Sequence, residues 1–188
     1  MDIEIQPVGK LDATVRAPSS KGFTLRALYI SALAEGQSLI KNALIAEDQL
    51  LSIKALESMG VKINRKGNDI LVEGSGGELN APKKELFLGN SGVGIRFMAS
   101  LAALAKGETL LTGSERMMER PIRDLSETLG ALGAELEILG ENGCPPLRAK
   151  GPSLAGGKAI IDCSKSSQFL SSVLVAAPYA KEDVELEI

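Results

Sequence analysis

ALESMGVKINRKGNDILVEG (residues 55–74) and TLGALGAELEILGENGCPPLRAKG (residues 128–151) are copies of one pattern. Each stretch reads as the end of a helix, a glycine, a strand, a turn, a second strand and a closing glycine. Gly60 aligns with Gly133, so the pattern recurs with an offset of about 70 residues. A period of this length indicates a repeat architecture in which each copy is one supersecondary unit.

The sequence before residue 55 completes the first unit. It consists of a β-like run, an apolar helix, a strand and an amphipathic helix: 13–18, 23–34, 36–43 and 48–60. Asp48 is the predicted N-cap of the amphipathic helix. With the two strands quoted above, the unit has the order βαβαββ, and the sequence predicts an α/β (α+β) domain built from such units.

The second unit repeats this order. Its predicted elements before the quoted strands are a strand, an apolar helix, a strand and a second helix: 84–89, 95–105, 107–113 and 120–133. Pro121 is expected in the first turn of the second helix, where a missing N–H costs no hydrogen bond.

A third unit begins with a strand (157–163), an apolar helix (169–180) and a further strand (183–188). The second helix and the final strand pair have no counterpart, so we expect this unit to be truncated. The first helix of each unit is apolar on nearly every side, which predicts buried central helices. The predicted units span about 13–79, 80–151 and the partial 152–188.

Composition excludes several classes of function. The chain carries a net charge of −3 and 44% apolar residues, which predicts a globular core but no nucleic-acid or membrane partner. It has no histidine, which excludes Ser-His and Cys-His nucleophile pairs and most zinc sites, and we expect no metal site. Cys144 and Cys163 lack metal-ligand spacing and indicate reduced thiols in a cytoplasmic protein.

Polar residues cluster where each apolar helix begins: Ser19–Gly22, Gly89–Gly94 and Ser164–Gln168. A helix N-terminus presents unpaired N–H groups and about half a positive charge. Three such termini that meet at one place would form a site for a multiply anionic small molecule. N-capping by serine and asparagine is the alternative explanation for each segment taken alone.

Basic residues near these helix starts are candidates to bind an anion: Lys21, Arg26, Arg96 and Arg116. Within the segment 115–125, Arg116 lies in the loop and is the better ligand candidate. Arg120 and Arg123 lie near the predicted helix start, where surface or helix-end pairing is the simpler interpretation.

Several segments of the sequence resemble the 5-enolpyruvylshikimate-3-phosphate (EPSP) synthase family: PSSKGFTLRAL, LGNSGVGIRF, RMMERPI and SSQFLSSVLVAAPYA. The last two segments resemble this family more specifically than its relative, the UDP-N-acetylglucosamine enolpyruvyl transferases, which share the fold. The resemblance extends along essentially the whole chain. It implies an EPSP synthase-like inside-out α/β barrel, in which two domains each contain three βαβαββ units around buried helices.

The resemblance also implies an activity. Members of the family transfer the enolpyruvyl group of phosphoenolpyruvate to the 5-hydroxyl of shikimate 3-phosphate and release phosphate, without a cofactor, in the shikimate pathway of aromatic amino acid biosynthesis. Glyphosate competes with phosphoenolpyruvate. Residues 1–17 are implied to be a crossover strand segment that pairs with a missing C-terminal domain, and residues 18–188 to form the first domain. The family's acid–base carboxylates lie in that missing domain, so we expect this chain to be inactive alone.

Carried over by position, the resemblance implies roles for individual residues. Lys21 is implied to be a catalytic residue that contacts phosphoenolpyruvate, and Arg26 to hold the shikimate carboxylate. The other implied ligands are Asn90, Gly92 and Arg116 for phosphoenolpyruvate, and Gly22, Ser166, Ser167 and Gln168 for shikimate 3-phosphate. The chain departs from the family pattern at Gly22 (usually Ser), Val93 (usually Thr) and Gly94 (usually Ala).

Two other interpretations remain open. The same helix starts suit a stand-alone anion-binding module. The shared fold suits a fragment of a UDP-N-acetylglucosamine enolpyruvyl transferase, although that family carries a reactive cysteine in a loop that has no counterpart here.

Overall fold

The computed structural model describes residues 3–7 and 9–188. Residues 3–7 and 9–20 form neither helix nor strand, and nearly all of them are exposed. The prediction of a strand at 13–18 is therefore wrong for this chain. A β-strand is stabilised by hydrogen bonds to a neighbour, and no described strand pairs with this run.

The first unit packs two helices against a three-stranded antiparallel sheet. Its elements are α1 (Lys21–Leu33), β1 (Gln37–Ile40), α2 (Glu47–Ser58), β2 (Lys62–Lys66) and β3 (Asp69–Glu73). The strand order is β1-β3-β2, and Leu39 of β1 lies opposite Leu71 of β3. One edge of β1 therefore has no partner strand within the described part of the chain.

The second unit has the complete βαβαββ order. Its elements are β4 (Leu86–Phe87), α3 (Gly92–Ala102), β5 (Gly107–Thr112), α4 (Arg123–Ala131), β6 (Glu135–Ile138) and β7 (Leu147–Gly151). The sheet order is β4-β5-β7-β6, in which β4 runs parallel to β5 and the other neighbours are antiparallel. The repeat predicted from the sequence is therefore present, and β5 has the neighbour on each side that β1 lacks.

The third unit contributes β8 (Gly157–Ile160), α5 (Ser167–Ala176) and β9 (Val184–Glu187). β8 and β9 are parallel, as β4 and β5 are, so this unit repeats the first half of the second one. The mixed α/β fold class predicted from the sequence is confirmed.

Burial distinguishes the three central helices. All the α3 residues from Phe97 to Ala102 are buried, and its tyrosine neighbour from α1, Tyr29, stacks on Phe97 with ring centroids 5.0 Å apart. By contrast, α1 leaves Phe23 and Ile30 exposed, and α5 leaves Leu174 exposed. The prediction of buried central helices is thus confirmed for α3, whereas α1 and α5 each keep one apolar stripe open to solvent.

Two predicted helix starts need correction. The N-cap of α2 is Ala46, and Asp48 lies inside the first turn with its carboxylate directed at Lys21. An acidic side chain in the first turn still interacts favourably with the positive end of the helix dipole. The N-cap of α4 is Ile122, whose N–H donates to the carbonyl of Gly143 (2.8 Å), so Pro121 lies before the helix and not in its first turn.

None of the helices in the described residues has the length and apolar character that a membrane crossing requires.

Leu101 and Leu174 test which helix is central. Leu101 of α3 is fully buried, whereas the side chain of Leu174 on α5 is 54% exposed. Leu101→Ala should lower the free energy of unfolding by about 2–5 kcal/mol because it leaves a cavity. Leu174→Ala, the matched change in helix propensity, should cost about 1 kcal/mol or less. Urea unfolding measures both values, and equal losses would contradict a central position for α3.

Candidate anion-binding site

The three central helices are each capped by a serine. Ser20 accepts a hydrogen bond from the N–H of Phe23 (3.3 Å), Ser91 from Gly94 (3.1 Å) and Ser166 from Gln168 (3.2 Å). Capping therefore accounts for these serine side chains. Whether the helix starts also form one site depends on the residues that connect them.

Asp48 connects the starts of α1, α2 and α3. Its carboxylate lies 2.7 Å from the ammonium nitrogen of Lys21, and the hydroxyl of Ser91 lies close enough to help lower the pKa of that carboxylate. The next residue, Gln49, is fully buried and donates from Nε2 to the carbonyl of Lys21 (3.2 Å). The start of α1 is thus held against α2 by one ion pair and one hydrogen bond.

The pKa of Asp48 reflects these contacts. Partial burial raises the pKa, but the hydrogen bonds from Lys21 and Ser91 and the charges of Lys21 and Arg120 lower it more. The pKa of Asp48 therefore lies below its ordinary value. Asp48 stays ionised at neutral pH and keeps Lys21 oriented.

Arg96 connects α3 to α5. Its Nη1 donates to Oε1 of Gln168 (2.6 Å) and to Oγ of Ser166 (3.3 Å). Its guanidinium carbon lies 4.8 Å from the centroid of the Phe169 ring. Burial, and then the nearby charge of Arg120, lower the pKa of Arg96 from its ordinary value, although an arginine remains charged at any physiological pH.

Gly92 lies between two guanidinium groups. A Cβ atom at this position would come within 2.6 Å of Nη1 of Arg120 and 3.9 Å of Nη1 of Arg96. A larger side chain at position 92 would displace the guanidinium of Arg120 from the first turn of α3. The two arginines and the free N–H groups of that turn therefore lie close together around Gly92, which has no side chain.

Arg120, rather than Arg116, reaches this position. Arg116 is exposed in a short 3-10 turn (Glu115–Glu119), and no hydrogen bond, ion pair or ring contact joins it to the cluster among the described residues. Arg120 ends that turn in an extended conformation (φ −93°, ψ 115°). The one available sequence signal was Pro121, because a residue before proline is biased towards extended backbone and away from a helix.

The remaining predicted residues lie around this cluster. Arg26 donates from Nη1 to the carbonyl of Gly22 (3.2 Å), and its guanidinium carbon lies 5.7 Å from the centroid of the Phe97 ring. Asn90 and Ser167 are exposed, and each directly neighbours a capping serine.

The charge balance of the cluster is strongly positive. Lys21, Arg26, Arg96 and Arg120 lie at or near these helix starts, and the carboxylate of Asp48 pairs with Lys21 and lies near Arg120, in a chain with a net charge of −3. We call this group the cation cluster. Arginine binds carboxylate and phosphate in bidentate fashion, and the helix N-termini add N–H donors. The arrangement suits a ligand with several negative charges, and no group of metal-binding residues occurs among the described positions.

The chain matches one protein family along nearly its whole length. The family model for EPSP synthase (3-phosphoshikimate 1-carboxyvinyltransferase) matches residues 5–188. The 3-phosphoshikimate 1-carboxyvinyltransferases of Methanothermobacter thermautotrophicus and Psychromonas ingrahamii are 45% and 41% identical to this chain, over 100% and 98% of its length. In both cases the match covers 44% of the relative, so the chain spans less than half the length of these relatives.

A solved structure shows the same fold. EPSP synthase from Acinetobacter baumannii superposes with a TM-score of 0.82 at 29% sequence identity, over 90% of this chain and 38% of the other. The fold and the cation cluster define an α/β repeat domain with a candidate anion-binding site at the N-termini of its central helices. Within that class, the chain belongs to the EPSP synthase family.

The lowered pKa of Asp48 predicts a pH-dependent contribution to stability. Because the folded-state pKa lies below the unfolded value of about 3.9, the contribution is present above that pH and is lost as the pH falls through the folded-state pKa. Asp48→Asn should lower the free energy of unfolding by about 1–2 kcal/mol at pH 7, since Lys21 is half exposed and screened. The difference from wild type should shrink below about pH 4.

Urea unfolding between pH 3 and pH 7 measures this difference. Glu57→Gln, on the exposed side of the same helix, is the matched control and should cost little at any pH. A loss for Asp48→Asn that stays constant down to pH 3 would contradict an ionised, stabilising Asp48.

Proposed function

We propose that this chain supplies the first half of the active site for enolpyruvyl transfer from phosphoenolpyruvate to the 5-hydroxyl of shikimate 3-phosphate. The observation that carries the proposal is the convergence of Lys21, Arg96 and Arg120 on the capped starts of α1, α3 and α5. Both substrates carry a phosphate and a carboxylate, so together they require several cationic partners.

Phosphoenolpyruvate is proposed to bind above Gly92. Lys21 pairs with Asp48, the charge of Arg120 helps to lower the pKa of Asp48, and Asn90 neighbours the capping serine of α3. The 5-hydroxyl oxygen of the acceptor bonds to C2 of phosphoenolpyruvate and gives up its proton, while C3 gains a proton. The resulting tetrahedral intermediate then loses phosphate, as the bond from C2 to the phosphate oxygen breaks, together with a proton from C3, which restores the carbon–carbon double bond. Lys21, oriented by its ion pair with Asp48, stabilises the negative charge on the departing phosphate oxygen.

Shikimate 3-phosphate is proposed to bind between the starts of α1 and α5. Ser166, Ser167 and Gln168 supply polar groups on one side, and Arg26 supplies the partner for the ring carboxylate on the other. Arg96 fixes the side chain of Gln168 through its carbonyl oxygen, which leaves the amide NH₂ available to the ligand. Gly22 gives the ligand access to the backbone of the first turn of α1.

The segment before α1 is proposed to pair with a second domain that completes the enzyme. Residues 1–17 are assigned to this crossover segment and residues 18–188 to the first domain. The apolar side chains of this segment are exposed, and no described strand pairs with it, which supports the assignment. These side chains are Ile3, Ile5, Leu11 and Val15. The free thiols of Cys144 and Cys163 support a cytoplasmic location.

The proposal predicts binding without turnover. The purified chain should bind shikimate 3-phosphate in a calorimetric titration, and no phosphate should appear when phosphoenolpyruvate is added. The acid–base carboxylates and the closure that excludes water are expected from the second domain. Rapid phosphate release by the chain alone would contradict this division of the site. Binding of inorganic phosphate and shikimate 3-phosphate with equal affinity would favour a general anion-binding module.

Arg120 and Arg116 provide a matched pair, since either change to alanine removes one positive charge from the same segment. Arg120→Ala should weaken the binding of phosphoenolpyruvate to the chain saturated with shikimate 3-phosphate by about tenfold to a hundredfold, the value of a hydrogen bond to a charged group. Arg116→Ala should change this affinity by about twofold or less, because an exposed charge is screened. Calorimetry measures both, and the reverse ranking would assign the ligand role to Arg116.

A further inference from the structure

Arg26 is held without an acidic partner. Among the described residues no carboxylate forms an ion pair with it, and the groups that hold its guanidinium are the carbonyl of Gly22 (3.2 Å) and the ring of Phe97 (5.7 Å from the guanidinium carbon to the centroid). The face of an aromatic ring attracts a cation but accepts none of its in-plane N–H bonds. Most of the Arg26 donors therefore stay free for a ligand.

The Phe97 ring packs against a second buried aromatic ring. Tyr29 stacks on Phe97 with ring centroids 5.0 Å apart and an angle of 17° between the ring planes, and both side chains are fully buried. The oxygens of Tyr29 and Ser52 lie 2.8 Å apart. Because Ser52 donates its own proton to the carbonyl of Asp48 (2.8 Å), Tyr29 is the donor to Ser52.

This chain of contacts joins the two cations at the start of α1. It runs from Arg26 through Phe97, Tyr29 and Ser52 to Asp48, whose carboxylate holds Lys21. Burial raises the pKa of Tyr29 well above its ordinary value, so its hydroxyl remains a donor at neutral pH. The Phe97 ring is consequently held in one position, because rotating or displacing it would break the stack with Tyr29 or the buried hydrogen bonds of Tyr29 and Ser52.

The same arrangement occurs between the next two central helices. Arg96 of α3 lies over Phe169 of α5, with 4.8 Å between its guanidinium carbon and the ring centroid, and Phe169 is buried. Arg96 differs from Arg26 in that side chains of α5 also accept its hydrogen bonds. An arginine of one helix resting on a phenylalanine of the following helix is therefore a recurring feature of the cluster, and at Arg26 the ring is the main side-chain support.

We propose that Phe97 is a positioning residue for acceptor recognition: its ring, backed by Tyr29, holds Arg26 in place for the carboxylate of the acceptor substrate. The inference rests on the proposed function, in which Arg26 binds that carboxylate. An acidic partner would hold Arg26 equally well but would compete with the ligand for the same charge and N–H donors. The ring positions the cation and leaves its charge unbalanced.

Two ligands test this role on the wild-type chain and on three variants. Calorimetry on the full 188-residue chain compares shikimate 3-phosphate with its carboxyl methyl ester. Phe97→Leu removes the ring, and 3,5-difluorophenylalanine at position 97 keeps the ring shape while weakening the negative charge of its face. Phe87→Leu, at a half-exposed phenylalanine of β4, is the control.

The expected result depends on the ligand carboxylate. Phe97→Leu should weaken the binding of shikimate 3-phosphate by about threefold to thirtyfold, the range of a cation–π contact, and leave the affinity for the ester unchanged. The difluoro ring should give a smaller loss in the same direction, and Phe87→Leu should give none. Because the fluorinated ring preserves the packing, it provides the test even where Phe97→Leu fails to fold.

Two outcomes would overturn the inference, and they are distinguishable. A wild-type chain that binds the acid no better than the ester would remove the proposed role of Arg26 and the inference with it. A wild-type preference for the acid that both Phe97 variants retain, or an equal loss for acid and ester, would leave the proposed function intact and show that Phe97 serves only the core.

Discussion

The burial of α3 is the constraint on which the rest of the structure depends. From Phe97 to Ala102 no residue of this helix reaches solvent, so α1, α5 and the second sheet must pack around it. A helix surrounded in this way has only its ends available for polar contacts. Its capped N-terminus therefore becomes the place where the starts of α1 and α5 gather, and the position of the cation cluster follows from core packing.

This packing brings several positively charged side chains close together, and like charges repel one another. Burial, and then the charge of Arg120, lower the pKa of Arg96, as expected where two guanidinium groups lie close together. The carboxylate of Asp48 offsets part of the charge, and ring faces and carbonyl oxygens contact the arginines. The cluster therefore retains an excess of positive charge that an anionic ligand would neutralise.

The fold could be predicted because its signals are local. The apolar helices and the capping serines are each encoded within a few neighbouring residues, and the repeat is a set of such local patterns that recurs after about 70 residues. The parts that could not be predicted are contacts between distant segments: Asp48 pairs with Lys21, and Arg120 reaches the backbone at Gly92. The contact of Phe97 with Arg26 has no local signal in the sequence, because it depends on how α1 crosses α3.

The first and second units position their central helices by different means. In the second unit, residues 88–91 join β4 to α3, so the pairing of β4 with β5 determines where α3 begins. Among the described residues, none before Lys21 pairs with a strand, and β1 keeps a free edge at the corresponding place. The contacts of Asp48 and Gln49 with Lys21 therefore hold the start of α1 in place, as the pairing of β4 with β5 holds the start of α3.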